Sequence, residues 1–184
     1  MVRGVFMTYK KKICLEKSMI TSTSNQQMKN LMLLMKKAKA RNEQELFVVE
    51  GRKMFQEVPE EWLKQVYVSE SFFAENDKML AGYTYEIVSD SVFKAVSDTQ
   101  TPQGILCLVR KPQYRLEELL KGADTHLLIL ESIQDPGNLG TMLRTGEGAG
   151  ISGVVMNHTT VDLFNPKTIR SWTVSNKCVR IKAR

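Results

Sequence analysis

The sequence predicts an α/β fold in two successive units, and three observations carry that prediction. Short β-type runs alternate with helical stretches from Leu46 onward, the pattern of a parallel or mixed sheet covered by helices. The polar stretch that opens at Lys111-Pro112-Gln113 interrupts this alternation. A fresh strand–loop–helix–strand series then begins at His126, the minimal crossover of a wound sheet. At 184 residues, 42% of them hydrophobic and 25% charged, the chain can bury a core, which excludes a disordered polypeptide.

The elements follow in order. Ser22-Thr23-Ser24-Asn25 offers helix caps, and Met28, Leu31, Met32, Met35 and Ala38 recur at helical spacing behind it. Strands are expected at Leu46–Val49, Gln65–Val68, Tyr85–Val88 and Ile105–Val109. Helices are expected near Arg52–Val58, Ser71–Leu80 and Ser91–Val96. A short helix at Leu116–Leu120 sits in a linker over 113–125. In the second unit Leu127–Leu130 reads as a buried strand, Asp135–Gly140 as a glycine-containing loop, and a helix follows to about Glu147. Val154–Asn157 is the next strand, and Pro166 suits the first position of a further helix. Residues 1–18 have no clear period and read as an extension, so the first unit is placed at 19–112 and the second at 126–184.

Several classes of function are set aside. No apolar run approaches the roughly 20 residues of a membrane helix. No apolar stretch follows Lys10-Lys11-Lys12 as a secretion signal requires, so the expected location is the cytoplasm, without membrane contact. Cys14, Cys107 and Cys178 are widely separated and read as small hydrophobes or incidental thiols, and His126 and His158 lack metal-site spacing, so no metal is expected.

The net charge of +6 is unevenly distributed. Residues 1–53 carry 12 basic and 4 acidic side chains, residues 54–135 carry 7 and 14, and residues 136–184 carry 7 and 2. A basic leading segment suits one face to a polyanion. Lys29, Lys36, Lys37 and Arg41 on the outer side of the first helix are the candidates for phosphate contact.

The chemistry concentrates in Asp135–Thr145. Pro136 and Gly137 force a tight turn, so Asn138 has a defined direction and is placed to cap the helix while exposing its amide. Gly140 permits close approach of another backbone, and Arg144, less than two turns beyond Asn138, reaches toward the same cleft.

The pattern D-P-x-N-x-G-x-x-x-R-T over Asp135–Thr145 resembles the first signature of the SpoU/TrmH family of RNA 2′-O-ribose methyltransferases, of the SPOUT superfamily. Asp162–Lys167 with Arg170-Ser171 resembles the segment that follows it there. Ile20-Thr21-Ser22, Asn25, Lys29, Arg41, Phe47, Glu50-Gly51 and Ser97–Gly104 are similar to the family's RNA substrate-binding domain.

The resemblance implies a small, ribosomal-protein-like α/β RNA-binding domain followed by the start of an α/β-knot methyltransferase domain. It implies S-adenosylmethionine as methyl donor, RNA as substrate (ribosomal favoured over transfer RNA), and a homodimer for the full-length family. By the same resemblance Asn138 and Arg144 are the catalytic pair. Asn25, Thr99, Gln100, Thr101 and Gln103 join the basic residues of the first helix as RNA contacts. From Trp172 onward the sequence departs from the family pattern, and no later signature precedes Arg184. The knot and its S-adenosylmethionine pocket are therefore expected to be missing. The chain is expected to be inactive alone, with a non-catalytic RNA-binding fragment as the alternative.

Overall fold

The computed structural model describes residues 19–121, 124–171 and 178–181. Helices α1 (Gln26–Lys36) and α2 (Ala38–Gln44) lead into strand β1 (Leu46–Glu50) and helix α3 (Arg52–Glu57). Then come β2 (Leu63–Ser69), α4 (Glu70–Asn76), β3 (Tyr85–Val88), α5 (Asp90–Val96) and β4 (Ile105–Arg110). The short α6 (Leu116–Leu119) precedes β5 (Leu127–Leu130), α7 (Pro136–Gly148), β6 (Gly153–Asn157), α8 (Pro166–Arg170) and β7 (Cys178–Ile181).

The first sheet has the order β1-β4-β2-β3. β4 runs antiparallel to both neighbours, and β2 and β3 are parallel. Side-chain alternation sorts it into two faces. Leu46 and Val48 of β1 pack with Met28, Leu31 and Leu34 of α1 and Val92, Phe93 and Val96 of α5. Phe47 and Val49 point the other way, into a core with Met54 and Phe55 of α3 and Phe72 of α4. Cys107 lies on this second face, where burial pushes its thiol pKa well up, so it packs as a small hydrophobe. Cys14 and the side chain of Cys178 lie outside the described residues.

The second sheet, β5-β6-β7, is parallel throughout with β6 central. Its apolar residues join the second face of the first sheet. Leu130, Leu139, Leu143, Val154, Met156, Leu163, Phe164 and Ile169 belong to the same buried cluster as Phe47 and Val49. The rings of Phe47 and Phe164 lie 4.7 Å apart. On the opposite face of β5, Ile129 is 72% exposed.

The helix expected from the spacing of Met28 to Ala38 breaks at Lys37, whose backbone is extended (φ −120°, ψ 113°), and the chain restarts as α2. Ala38 is consequently exposed, and Ala40 takes the buried place. This break turns Arg41 inward.

Arg41 is 2% exposed. Its Nε and Nη2 meet Asp162 Oδ2 at 2.7 and 2.6 Å, and its Nη1 donates to the carbonyls of Leu34 and Met35. The expectation that Arg41 faces RNA phosphate is corrected by this geometry. The guanidinium is buried and committed to a pairing between the two sheets' units.

Candidate nucleic-acid interface

The helix carrying the candidate chemistry is started by Asp135. Its carboxylate Oδ1 accepts the Asn138 N–H at 2.7 Å, and Pro136 occupies the first helical position, where a missing N–H costs nothing. Asp135, rather than Asn138, is therefore the cap, which corrects the role expected for Asn138. The Asn138 side chain is exposed at the third helical position.

One turn on, Gly140 is buried where α7 crosses α8. A Cβ there would collide with the Cβ of Ser171 and stand 3.1 Å from the Thr168 carbonyl. That close approach brings the end of α8 under the next turn of α7, where Arg144 meets it. Arg144 Nε and Nη2 both donate to the Ser171 carbonyl, at 3.1 and 2.9 Å. A cation on the last carbonyls of a helix also meets the negative end of its dipole. Asn165 caps the other end of α8 by accepting the Lys167 N–H at 2.9 Å.

Arg144 borders a cleft of about 530 Å³ together with Arg170 and Ser171 of the same segment. Facing them are Glu50 and Gly51 at the end of β1, Lys53, Met54 and Glu57 of α3, and Thr99, Thr101 and Gln103 of the loop before β4. Glu50 organises that loop. Its Oε1 accepts hydrogen bonds from the hydroxyls of Ser97 (2.6 Å) and Thr99 (2.7 Å). Gln103 Oε1 accepts the Arg52 N–H at 2.9 Å, close against Gly51. Gly51 holds φ +108°, a conformation that only glycine adopts without strain. Arg170 Nη1 bonds Asp98 at 3.0 Å and ties the loop to α8.

The candidates therefore separate. Arg144, Thr99, Thr101 and Gln103 converge on one cleft, whereas Asn138, Gln100, Asn25, Lys29, Lys36 and Lys37 do not border it. Asn25 caps α1 by accepting the Gln27 N–H at 2.8 Å. Lys29 and Lys36 are exposed on the helix that covers the opposite face of the sheet, and Lys37 is exposed at the break that follows it. Sequence reasoning missed Lys53 and Arg170 as cleft residues. Arg170 stood inside the recognised motif, and Lys53 follows the Glu50-Gly51 pair, so both signals were present.

Of the three cations in the cleft, Lys53 pairs with Glu57 at 3.6 Å and Arg170 with Asp98 at 3.0 Å, while Arg144 is anchored on the Ser171 carbonyl and Glu50 on the Ser97 and Thr99 hydroxyls. The hydroxyls of Thr99, Thr101 and Ser171 and the amide of Gln103 complete a lining suited to a phosphate–sugar backbone. Met54 is the one apolar side chain in that lining. An adenosine-bearing cofactor needs an apolar slot for its base, and the described residues around Arg144 do not fit S-adenosylmethionine.

Residues 25–107 match the family model of the MRM3-like substrate binding domain, and residues 125–183 match that of the SpoU rRNA Methylase family. The chain is 34% identical over 154 residues to the 23S rRNA (guanosine(2553)-2′-O)-methyltransferase RlmP of Bacillus subtilis. That match covers 83% of this chain and 59% of the relative. Two crystal structures of an rRNA methyltransferase from Sinorhizobium meliloti, one of them AdoMet-bound, align with a TM-score of 0.77. They are 25% and 24% identical to this chain, covering 90% of it and 66% and 65% of their own chains. The chain thus spans about three fifths of the length of the curated relative and about two thirds of the solved ones.

Proposed function

Because the chain belongs to the SpoU family of RNA 2′-O-ribose methyltransferases, we propose that it forms the RNA-holding part of such an enzyme and presents Arg144 to a ribose 2′-hydroxyl of ribosomal RNA. The observation that carries this reading is the convergence of Arg144 with the Thr99–Gln103 loop on one cleft. Two of the three guanidinium nitrogens of Arg144 are anchored on Ser171, and Nη1 has no hydrogen-bond partner among the described residues.

A guanidinium has five N–H donors and no acceptor, so it serves here as a donor and not as a base. Its role is to stabilise negative charge as the hydroxyl proton leaves and to grip the adjoining phosphate. Anchoring through Nε and Nη2 fixes Nη1 without further loss of rotamer freedom when RNA arrives. Thr99, Thr101 and Gln103 supply donors and acceptors to the sugar and phosphate on the opposite wall. Asn138 acts at the mouth of the helix turn, on the nucleotide beside the target. Lys29, Lys36 and Lys37 add salt-sensitive attraction from outside the cleft.

S-adenosylmethionine is the family's methyl donor, and nothing in the described lining is assigned to it. Isothermal titration of this chain with S-adenosylmethionine is expected to give no saturable heat at micromolar concentration. Stoichiometric micromolar binding would overturn the assignment of the cleft to RNA alone. This lining also favours the second reading, in which the chain by itself binds RNA without methylating it.

Gel shifts with 23S rRNA fragments at several salt concentrations test the RNA reading. Complexes should form at low salt and weaken steeply as salt rises. Arg144→Ala combined with Lys53→Ala should weaken them by more than about tenfold, two charge-assisted contacts being lost. No shift even at low salt would remove the proposal. Work beside the cell's ribosomes, in the cytoplasm, and association of the full-length enzyme as a homodimer belong to the same proposal.

A further inference from the structure

A second cleft, of about 310 Å³, opens on the same edge of the first sheet. The carboxyl ends of β1 and β2 and the start of β4 lie together there. Gly51 N–H donates to the Ile105 carbonyl and Ser69 N–H to the Gly104 carbonyl. β1 and β2 flank β4, so the strand ends that border the two clefts lie about 10 Å apart, two strand spacings. Gln103 borders both of them. The second cleft is therefore the continuation of the first along the carboxyl edge of the sheet.

Its chemistry differs from that of the first. Arg52 is exposed yet held at two points: its guanidinium carbon sits 5.4 Å from the centroid of the Phe72 ring, and its Nη2 donates to Asn76 Oδ1 at 2.7 Å. Exposed arginines ordinarily keep their rotamer freedom, so a guanidinium fixed on a buried ring is a preorganised plate. Lys94 borders the same cleft, but so do Asp90 and Glu75, and the charges balance. Asp90 is held as a carboxylate, its pKa lowered by hydrogen bonds from the Ser71 hydroxyl and N–H. Balanced charge disfavours a phosphate. A flat cation beside hydroxyl, amide and carboxylate groups matches an unpaired nucleobase, which stacks on one surface and offers both donors and acceptors at its edge.

We infer that this second cleft binds the base of a nucleotide neighbouring the one in the first cleft, stacked on the Arg52 guanidinium and met at its edge by Ser71, Asp90 and Gln103. The inference rests on the RNA reading of the first cleft and adds a base-reading subsite to it. It gives the substrate-binding unit a way to prefer single-stranded or splayed RNA over a duplex, in which bases are stacked and unavailable.

The test compares two fluorescein-labelled 12-mers of equal charge, oligouridylate and an abasic ribose-phosphate oligomer, binding to the full chain. Arg52→Lys keeps the charge and removes the plate. It should weaken oligouridylate by about fivefold or more, the worth of one stacked base, and leave the abasic oligomer unchanged. Lys94→Ala should weaken both oligomers equally. Equal weakening of both oligomers by Arg52→Lys, or of neither, would overturn the subsite while leaving the RNA reading intact. Failure of the unsubstituted chain to bind either oligomer would instead count against the RNA reading itself.

Discussion

Arg41→Ala should destabilise the protein by about 3–5 kcal/mol, the usual cost of removing one partner of a buried ion pair. The guanidinium is 2% exposed, and Asp162 is 15% exposed at its side chain. Without Arg41 the Asp162 carboxylate is left in a nearly dry site, and the carbonyls of Leu34 and Met35 lose the donor they share. Against a total stability on the order of 5–15 kcal/mol, that is a large fraction. The exposed pair Lys39–Glu43, with side chains 87% and 64% exposed, should contribute no more than about 1 kcal/mol. Urea unfolding midpoints of Arg41→Ala and Lys39→Ala therefore separate the two classes of ion pair. Replacing both partners, Arg41→Met with Asp162→Leu, should cost less than Arg41→Ala, because no charge is stranded. If Arg41→Ala shifts stability by under 1 kcal/mol, the pair is effectively solvated and does not hold the two units together.

The second large effect is expected at Gly140. An alanine there meets the Cβ of Ser171 and the Thr168 carbonyl, both on the crossing segment. Neither is the free end of a flexible side chain, so α8 must move away. Overpacking of this kind costs about 1–3 kcal/mol, more than the roughly 1 kcal/mol that alanine gains over glycine in a helix. The displacement also removes the Ser171 carbonyl from Arg144, which loses both anchoring bonds. RNA affinity should fall about tenfold, the equivalent of one charge-assisted contact. Gly148, in the same helix, has nothing within 4 Å of a built Cβ, so Gly148→Ala should be neutral or slightly stabilising. Gly140→Ala with unchanged melting temperature and unchanged RNA affinity would show that the helix crossing does not set the position of Arg144.

These two sites mark where reading the sequence succeeded and where it stopped. β3 and β5 occur at the expected residues, and β4 extends one residue beyond expectation, because β-branched and leucine runs bounded by polar residues are local signals. Pro166 begins α8 for an equally local reason, its fixed φ and absent N–H. The helix break at Lys37 has no glycine or proline to announce it. A basic residue at helical spacing, Arg41, therefore read as part of a solvated face. Its partner lies 121 residues away, and periodicity within one helix carries no information about that distance. Asn138 failed as the cap for a smaller reason: Asp135, three residues earlier, is an equally good capping residue, and backbone geometry chose it.

By itself the sequence determined the order and kind of most elements, the family signature over Asp135–Thr145, and Arg144 as the candidate for its chemistry, although it read Asp135–Gly140 as a loop where α7 begins at Pro136. Those properties are written in local patterns of side-chain branching, turn residues and spacing. Only the tertiary structure decided which polar residues share a cleft. The crossing at Gly140 and the pairing of Arg41 with Asp162 set α7 and α8 against the end of β1. That packing brings Arg144 opposite Thr99, Thr101 and Gln103 and leaves Lys29, Lys36 and Lys37 on the far face. The physical reason is burial. Joining the apolar faces of the two sheets into one core fixes their mutual orientation, and the cleft is the space this packing leaves along their shared edge.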